Sequence, residues 1–290
     1  MSAAHKLNLS AGLASVTVAV LLVGVKLWAL GETHALSIAA SLTDSALDMM
    51  MSLVALMAIF YAARPPDEDH AFGHSSAEDL AGLGQALFIL TSAGVIAWAA
   101  VRRLLSDAPV ALEFQGRGML AMAVSIALTL ALVLWQRRVA ARTGNRVVQA
   151  DSLHYLGDLL PSAGALVALV ASSWWGLQQI DSVVALGAAA MLFFGALSIG
   201  RQSWDALMDR RADPDVVAKI ESIVDGWPGI HGYHDLRTRR SGSTIFVNLH
   251  IELDGDQTLT EAHDIGAGLK HAILKAYPEA DVIIHKDPVR

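Results

Sequence analysis

Two pairs of metal-ligating side chains stand four residues apart inside long apolar stretches. The first is Asp44 and Asp48, in the run Ser-Leu-Thr-Asp44-Ser-Ala-Leu-Asp48; the second is His154 and Asp158, in Asp151-Ser-Leu-His154-Tyr-Leu-Gly-Asp158. On a helix, a spacing of four stacks two side chains on one face. Three carboxylates without a lysine or arginine near them repel one another, and an ionised carboxylate in hydrocarbon is costly unless it is paired. A divalent cation relieves both problems, as does protonation. Three carboxylate oxygens and one imidazole make a four-coordinate set suited to Zn²⁺, although ligand chemistry by itself does not separate Zn²⁺ from Fe²⁺ or Co²⁺. Such ligands bind metal only when deprotonated, so binding releases protons. An imidazole has the reference pKa nearest physiological pH. The pattern implies exchange of a divalent metal for protons. A hydrogen-bonded polar cluster that only ties the helices together is the structural alternative.

The composition fits a membrane setting. Of 290 residues, 54% are hydrophobic and 17% charged, against about 25% charged in a soluble domain. Six spans of about 20 apolar residues each are expected near 9–30, 35–62, 80–101, 117–136, 148–172 and 179–203, separated by Gly31, Pro65-Pro66 and Pro109. At about 1.5 Å per residue, Asp44 and Asp158 lie at matching depths from opposite surfaces, near the midplane. Pro161, three residues past Asp158, removes a helical hydrogen bond and could act as a hinge. Basic residues in short loops set orientation. Lys6, Arg64, Arg137, Arg138, Arg142, Arg146, Arg210 and Arg211 outnumber Arg102, Arg103 and Arg117, which places both termini in the cytoplasm.

The expected fold is thus an α-helical membrane protein. Residues 1–208 form six transmembrane helices, and residues 209–290 form a cytoplasmic α+β domain in the order αββαβ. Its elements are expected as helix 214–225, strands 234–238 and 244–253, helix 260–277 and strand 281–285. There is no cysteine, so disulfides and thiolate metal sites are excluded. A net charge of −7 argues against a nucleic-acid partner. No His-Glu-x-x-His motif or nucleophile arrangement supports a membrane metalloenzyme. Strong four-ligand coordination suits a carrier better than a channel. A membrane-bound sensor that binds metal without transporting it is the alternative function. The chain lacks a clear signal-peptide pattern at Met1–Ser10, which fits a bacterial inner membrane.

The ordered set of Asp44/Asp48, His154/Asp158, His-Asp-Leu-Arg-Thr at 234–238 and a tail reading Val-Ile-Ile-His285-Lys-Asp287-Pro resembles the cation diffusion facilitator family, in particular its bacterial zinc- and iron-efflux members. The resemblance covers nearly the whole chain. It implies a homodimeric proton antiporter with a metallochaperone-like cytoplasmic domain, and a transport site made by Asp44, Asp48, His154 and Asp158. In that family three Asp with one His go with Zn²⁺ and Cd²⁺. The acidic loop Asp67-Glu68-Asp69-His70-Ala-Phe-Gly-His74 is similar to the family's loop site, with Asp67, His70 and His74 as ligands. Relatives continue Gly-His-Gly-Lys where this chain has Gly-His74-Ser75-Ser76, which removes the usual partner of Asp209. In the tail, the resemblance makes His234, His250, His263, His285 and Asp287 a binuclear Zn²⁺ site at the dimer interface. His231 and His271 are left as surface residues.

Overall fold

The computed structural model describes residues 3–33, 36–105, 116–159 and 180–289; for a few residues inside these helices, Asp44 among them, the description covers the backbone alone. The chain divides into two compact units, Met1–Ser203 and Trp204–Arg290.

The first unit is helical, and its last helix runs on past Ser203. Its helices are α1 (Ala3–Thr33), α2 (Leu36–Ala62), α3 (Ser76–Leu104), α4 (Gly116–Thr143), α5 (described over 146–159) and α6 (Ile180–Leu207). Five of them contain stretches long and apolar enough to cross a membrane: Ala4–Trp28, Ser45–Ala62, Ser76–Arg102, Ala123–Thr143 and Ala185–Leu207. The fifth expected span, 148–172, is helical as far as residue 159, and the rest of it, Pro161 included, lies outside the described residues. Five spans, not six, are therefore complete among the described residues.

The helices outrun the apolar windows that betray them. The α3 helix opens at Ser76 because Glu78 and Asp79 occupy its first turn, where the positive end of the helix dipole favours acids. The α4 helix continues through Arg137, Arg138 and Arg142 to Thr143, since arginine is a good helix former and suits the negative end.

Small residues let these helices approach closely, as membrane helices require. Ala11, Ala55, Ala86, Ala150 and Ala196 are buried. A Cβ at Gly12 of α1 would stand 2.9 Å from Leu56 of α2. The α5 and α6 helices interlock reciprocally. A Cβ at Gly157 would meet Leu192 at 3.0 Å, and one at Gly195 would meet Leu153 at 2.8 Å. Large side chains such as Trp28, Met57, Trp98 and Phe194 point outward, as a lipid-facing surface demands. Near the start of α5, Arg146 pairs with the buried carboxylate of Asp79 on α3.

The second unit contains α7 (Pro214–Asp225), β1 (Gly232–Ser241), β2 (Thr244–Leu253), α8 (Leu259–Ala276) and β3 (Ala280–Pro288), so the expected αββαβ order is present. The sheet order is β1-β2-β3. The first pair is antiparallel across a tight turn at Gly242, whose φ of +51° favours glycine. The second pair is parallel, which a crossover through α8 makes possible. Ile220, Val247, Leu249, Ile251, Leu269, Ile273 and Val282 fill the core, each contributing about 1.5–3 kcal/mol through burial.

Asp209, two residues past α6, is not left without a partner. Its backbone adopts φ +55°, and its Oδ1 accepts a hydrogen bond from Arg239 Nη1 at 3.0 Å. The Arg239 guanidinium also lies over the Phe246 ring, 4.1 Å from its centre. The partner of Asp209 among the described residues is thus a residue of β1.

A capping box opens α8. Thr258 Oγ1 accepts from the Glu261 N–H at 3.3 Å, and Glu261 Oε2 accepts from the Thr258 N–H at 2.8 Å. Those bonds hold the Glu261 carboxyl below its usual value of 4.5. Its contribution is therefore full above pH 4.5 and is lost as pH falls through the lowered folded value. Thr258→Ala should destabilise the first turn of α8 by about 1 kcal/mol, read as faster amide hydrogen exchange over residues 259–262. Wild type should approach the variant as the medium is acidified.

Candidate metal centres

The helices α2 and α5 bring the two four-residue pairs together. His154 Nε2 lies 3.0 Å from Asp48 Oδ1 and 4.0 Å from Asp158 Oδ2. Ligand atoms of Asp48, His154 and Asp158 all fall within 4.8 Å of one another. Asp48 and His154 are largely shielded, at 15% and 12% side-chain exposure, while Asp158 is half exposed. The imidazole is walled by aromatics: Phe88 of α3 at 5.7 Å and Tyr155 at 5.6 Å between ring centres. Two carboxylates and an imidazole around one point are a donor set for a divalent ion of the zinc type. Asp44 occupies α2 one turn before Asp48; its side chain lies outside the description.

One basic residue qualifies the expectation of an uncompensated acidic cluster. Lys26 of α1 donates from Nζ to Ser45 Oγ at 2.6 Å, which brings an ammonium beside the residue that follows Asp44. Sequence spacing on α2 and α5 could not reveal it, because the lysine belongs to a third helix. A lone cation inside an apolar run was the available signal.

The loop between α2 and α3 gathers Asp67, His70 and His74, whose ligand atoms also lie within 4.8 Å of one another. His70 Nδ1 is 3.2 Å from Asp67 Oδ1, and His74 Nε2 is 3.3 Å from Asp67 Oδ2. Asp67 caps its own loop, accepting from the backbone N–H of Asp69 and of His70. The His70 N–H, followed by the His70 side chain, holds the Asp67 carboxyl below its ordinary range. His74 is buried against Tyr61, 4.7 Å between ring centres, whereas His70 is half exposed. Ser75 and Ser76 follow directly into α3.

In the second unit, strand register places three histidines in one row. His234 on β1 faces His250 on β2, and His250 faces His285 on β3. Ring centres are 5.1 Å and 4.6 Å apart along the row. Asp287 serves all three: Oδ2 lies 2.8 Å from His250 Nδ1 and 3.5 Å from His234 Nε2, and Oδ1 lies 3.2 Å from His285 Nε2. The bond to His250, with the nearby imidazoles, lowers the Asp287 carboxyl from its ordinary value. Ligand atoms of His234, His250 and Asp287 lie within 4.8 Å of one another. His263, expected in this set, is exposed on α8 and joins no such group among the described residues. Glu252 was missed. Its Oε1 lies 3.2 Å from His234 Nδ1. The alternation of side chains along β2 puts 252 on the face of 250, and that signal was present in the sequence.

Comparison with known proteins matches both parts of the chain. Residues 12–208 match the cation efflux transmembrane domain, and residues 212–289 match the cytoplasmic domain of cation efflux proteins. The chain is 42% identical to the cation-efflux pump FieF of Pectobacterium carotovorum over 96% of its own length and 92% of that protein. It is 40% identical to the cation-efflux pump FieF of Cronobacter sakazakii over the same shares of each chain. Among solved structures, the metal-bound C-terminal domain of the CzcD transporter from Thermotoga maritima is 31% identical, with 26% of this chain and 87% of that chain covered and a TM-score of 0.25. The chain belongs to the cation diffusion facilitator family of cation-efflux transporters.

Proposed function

We propose that this transporter exports Zn²⁺ from the cytoplasm in exchange for protons, as a homodimer in a bacterial inner membrane with both termini cytoplasmic. Fe²⁺, Cd²⁺ and Co²⁺ are the competing cargoes. The observation that carries the reading is the 3.0 Å approach of Asp48 on α2 to His154 on α5, with Asp158 one turn along. With Asp44, these residues form the transport site. The metal is cargo here, so the site must both bind and release it. Proton competition supplies release: a site open to the acidic side takes up protons at imidazole and carboxylate and loses the ion, and a site open to the cytoplasm does the reverse. The division into residues 1–208 and 209–290 separates translocation from dimerisation in this scheme. Asp67, His70 and His74 form a second metal site at the membrane surface. His234, His250, His285 and Asp287 hold metal in the cytoplasmic domain, with His263 contributed toward a partner subunit. Metal there stabilises whichever conformation binds it more tightly.

Full-length protein in vesicles with an acidic lumen should accumulate Zn²⁺ while the lumenal pH rises. Uptake at constant lumenal pH would remove antiport. Asp158→Ala should slow initial uptake by about tenfold or more, the scale on which lost ligand support weakens a metal site. Running Fe²⁺ beside Zn²⁺ identifies the preferred cargo. For the cytoplasmic residues, His234→Ala combined with His285→Ala should transport but respond less to Zn²⁺ on the cytoplasmic side. An unchanged response would end the regulatory role and leave transport standing.

A further inference from the structure

Beside the α2–α5 pair lies a buried acid that metal exchange does not use. Asp151, on the same helix as His154, is 2% exposed. Its Oδ2 accepts from Gln136 Nε2 of α4 at 2.5 Å. Its Oδ1 has no hydrogen-bond partner, and neither does Gln136 Oε1, although Gln136 is fully buried. On the other side runs a line of buried hydroxyls. Ser15 of α1 donates to Ser52 of α2 at 2.9 Å, and Ser52 shares a hydrogen bond with Tyr155 of α5 at 2.8 Å. The Ser15 hydroxyl neighbours the Asp151 carboxyl as well, without a hydrogen bond to its Oδ1 in this geometry.

Donor and acceptor bookkeeping identifies what is missing. Ser15 commits its one proton to Ser52, so only lone pairs of its oxygen remain for Asp151. A carboxylate there would set acceptor against acceptor, with one hydrogen bond for a whole buried charge. The ionisable groups that act on it are His154 and Tyr155 on its own helix and Asp48 on α2. The α1 and α4 helices contribute the neutral Ser15 and Gln136. No ion pair joins Asp151 to a lysine or arginine among the described residues. A proton on Oδ1 turns the orphaned acceptor into the donor that the hydroxyl line lacks.

We infer that Asp151 is a neutral carboxyl group whose proton closes a hydrogen-bonded chain through α1, α2, α4 and α5, and that it is a positioning residue for His154. The chain Asp151–Ser15–Ser52–Tyr155 fixes the rotation of α5 about its axis. Ser52 lies one turn from Asp48 on α2, and Tyr155 adjoins His154 on α5. The network therefore holds both sides of the Asp48–His154 approach. The positioning half rests on the reading of His154 as a transport ligand; the protonation half does not.

Infrared difference spectra of full-length wild type minus Asp151→Asn, in lipid at neutral pH, test the protonation directly. A carbonyl stretch of a neutral carboxyl group should disappear in the variant. Loss of carboxylate bands instead would overturn the inference. Vesicle transport of Zn²⁺ tests positioning. Asp151→Ala takes the acceptor from Gln136 Nε2 and the proposed donor from the Ser15 end of the hydroxyl line, and should raise KM about tenfold. Asp151→Asn, which donates from its amide where the acid donated, should restore most of that loss. An asparagine variant as impaired as the alanine variant would refute the role. Asp158→Ala is measured alongside: wild-type transport by that variant would sink the transport-site reading, while the infrared result would still report on Asp151.

Discussion

Polar side chains placed in hydrocarbon must find their partners within the protein, and the helical unit is organised around that requirement. Asp48 meets His154, Ser52 meets Tyr155, Ser15 meets Ser52, Gln136 meets Asp151, and Lys26 meets Ser45. Each contact joins two different helices. In water such groups would satisfy themselves with solvent and contribute little to assembly. In lipid the same groups dictate which helices are neighbours, because an unsatisfied one is expensive. The four helices α1, α2, α4 and α5 are therefore held in mutual register by the same class of interaction that gathers the candidate ligands Asp48 and His154, and small residues such as Ala11, Ala55 and Gly12 bring the backbones near enough for it.

Much of this was legible beforehand, for identifiable reasons. The four-residue spacing of Asp44/Asp48 and His154/Asp158 survives translation into structure because a helix converts sequence distance directly into position. The αββαβ order was legible because helix and strand periods differ and the Ser-Gly-Ser turn interrupts them. What escaped notice came from other elements. Lys26 reaches Ser45, the neighbour of Asp44, from α1, and Arg239 reaches Asp209 from β1; nothing in local spacing announces either. Glu252 is different, since its alternation with His250 along β2 places it on the histidine face from sequence alone. β1 runs from Gly232 to Ser241, beyond the expected 234–238 at both ends, and its bulge between His234 and Arg237 breaks the regular pattern.

The three candidate centres differ in how their ligands are held. In the helical unit the ligands ride on two rigid rods, so any change in rod orientation changes the donor geometry. In the second unit three adjacent strands fix the histidine row, and the ladder hydrogen bonds leave little freedom to rearrange. The loop centre lies between these extremes: Asp67 organises the backbone of its own turn while His74 is clamped against Tyr61. A carrier's cargo site has to yield, whereas a structural or regulatory site need not, and the division of labour under the proposed function follows that difference in stiffness.

The reciprocal seating of α5 and α6 has a mechanical consequence. Leu192 rests where Gly157 has no side chain, and Leu153 rests where Gly195 has none. Both knobs drop into their sockets at the same longitudinal setting. A slide of α5 along α6 by less than a full turn lifts the two leucines out together and drives each against a neighbouring backbone. Packed helices of this kind click between settings instead of gliding through a continuum. His154 and Asp158, which flank Gly157 on the same rod, are carried by that detent.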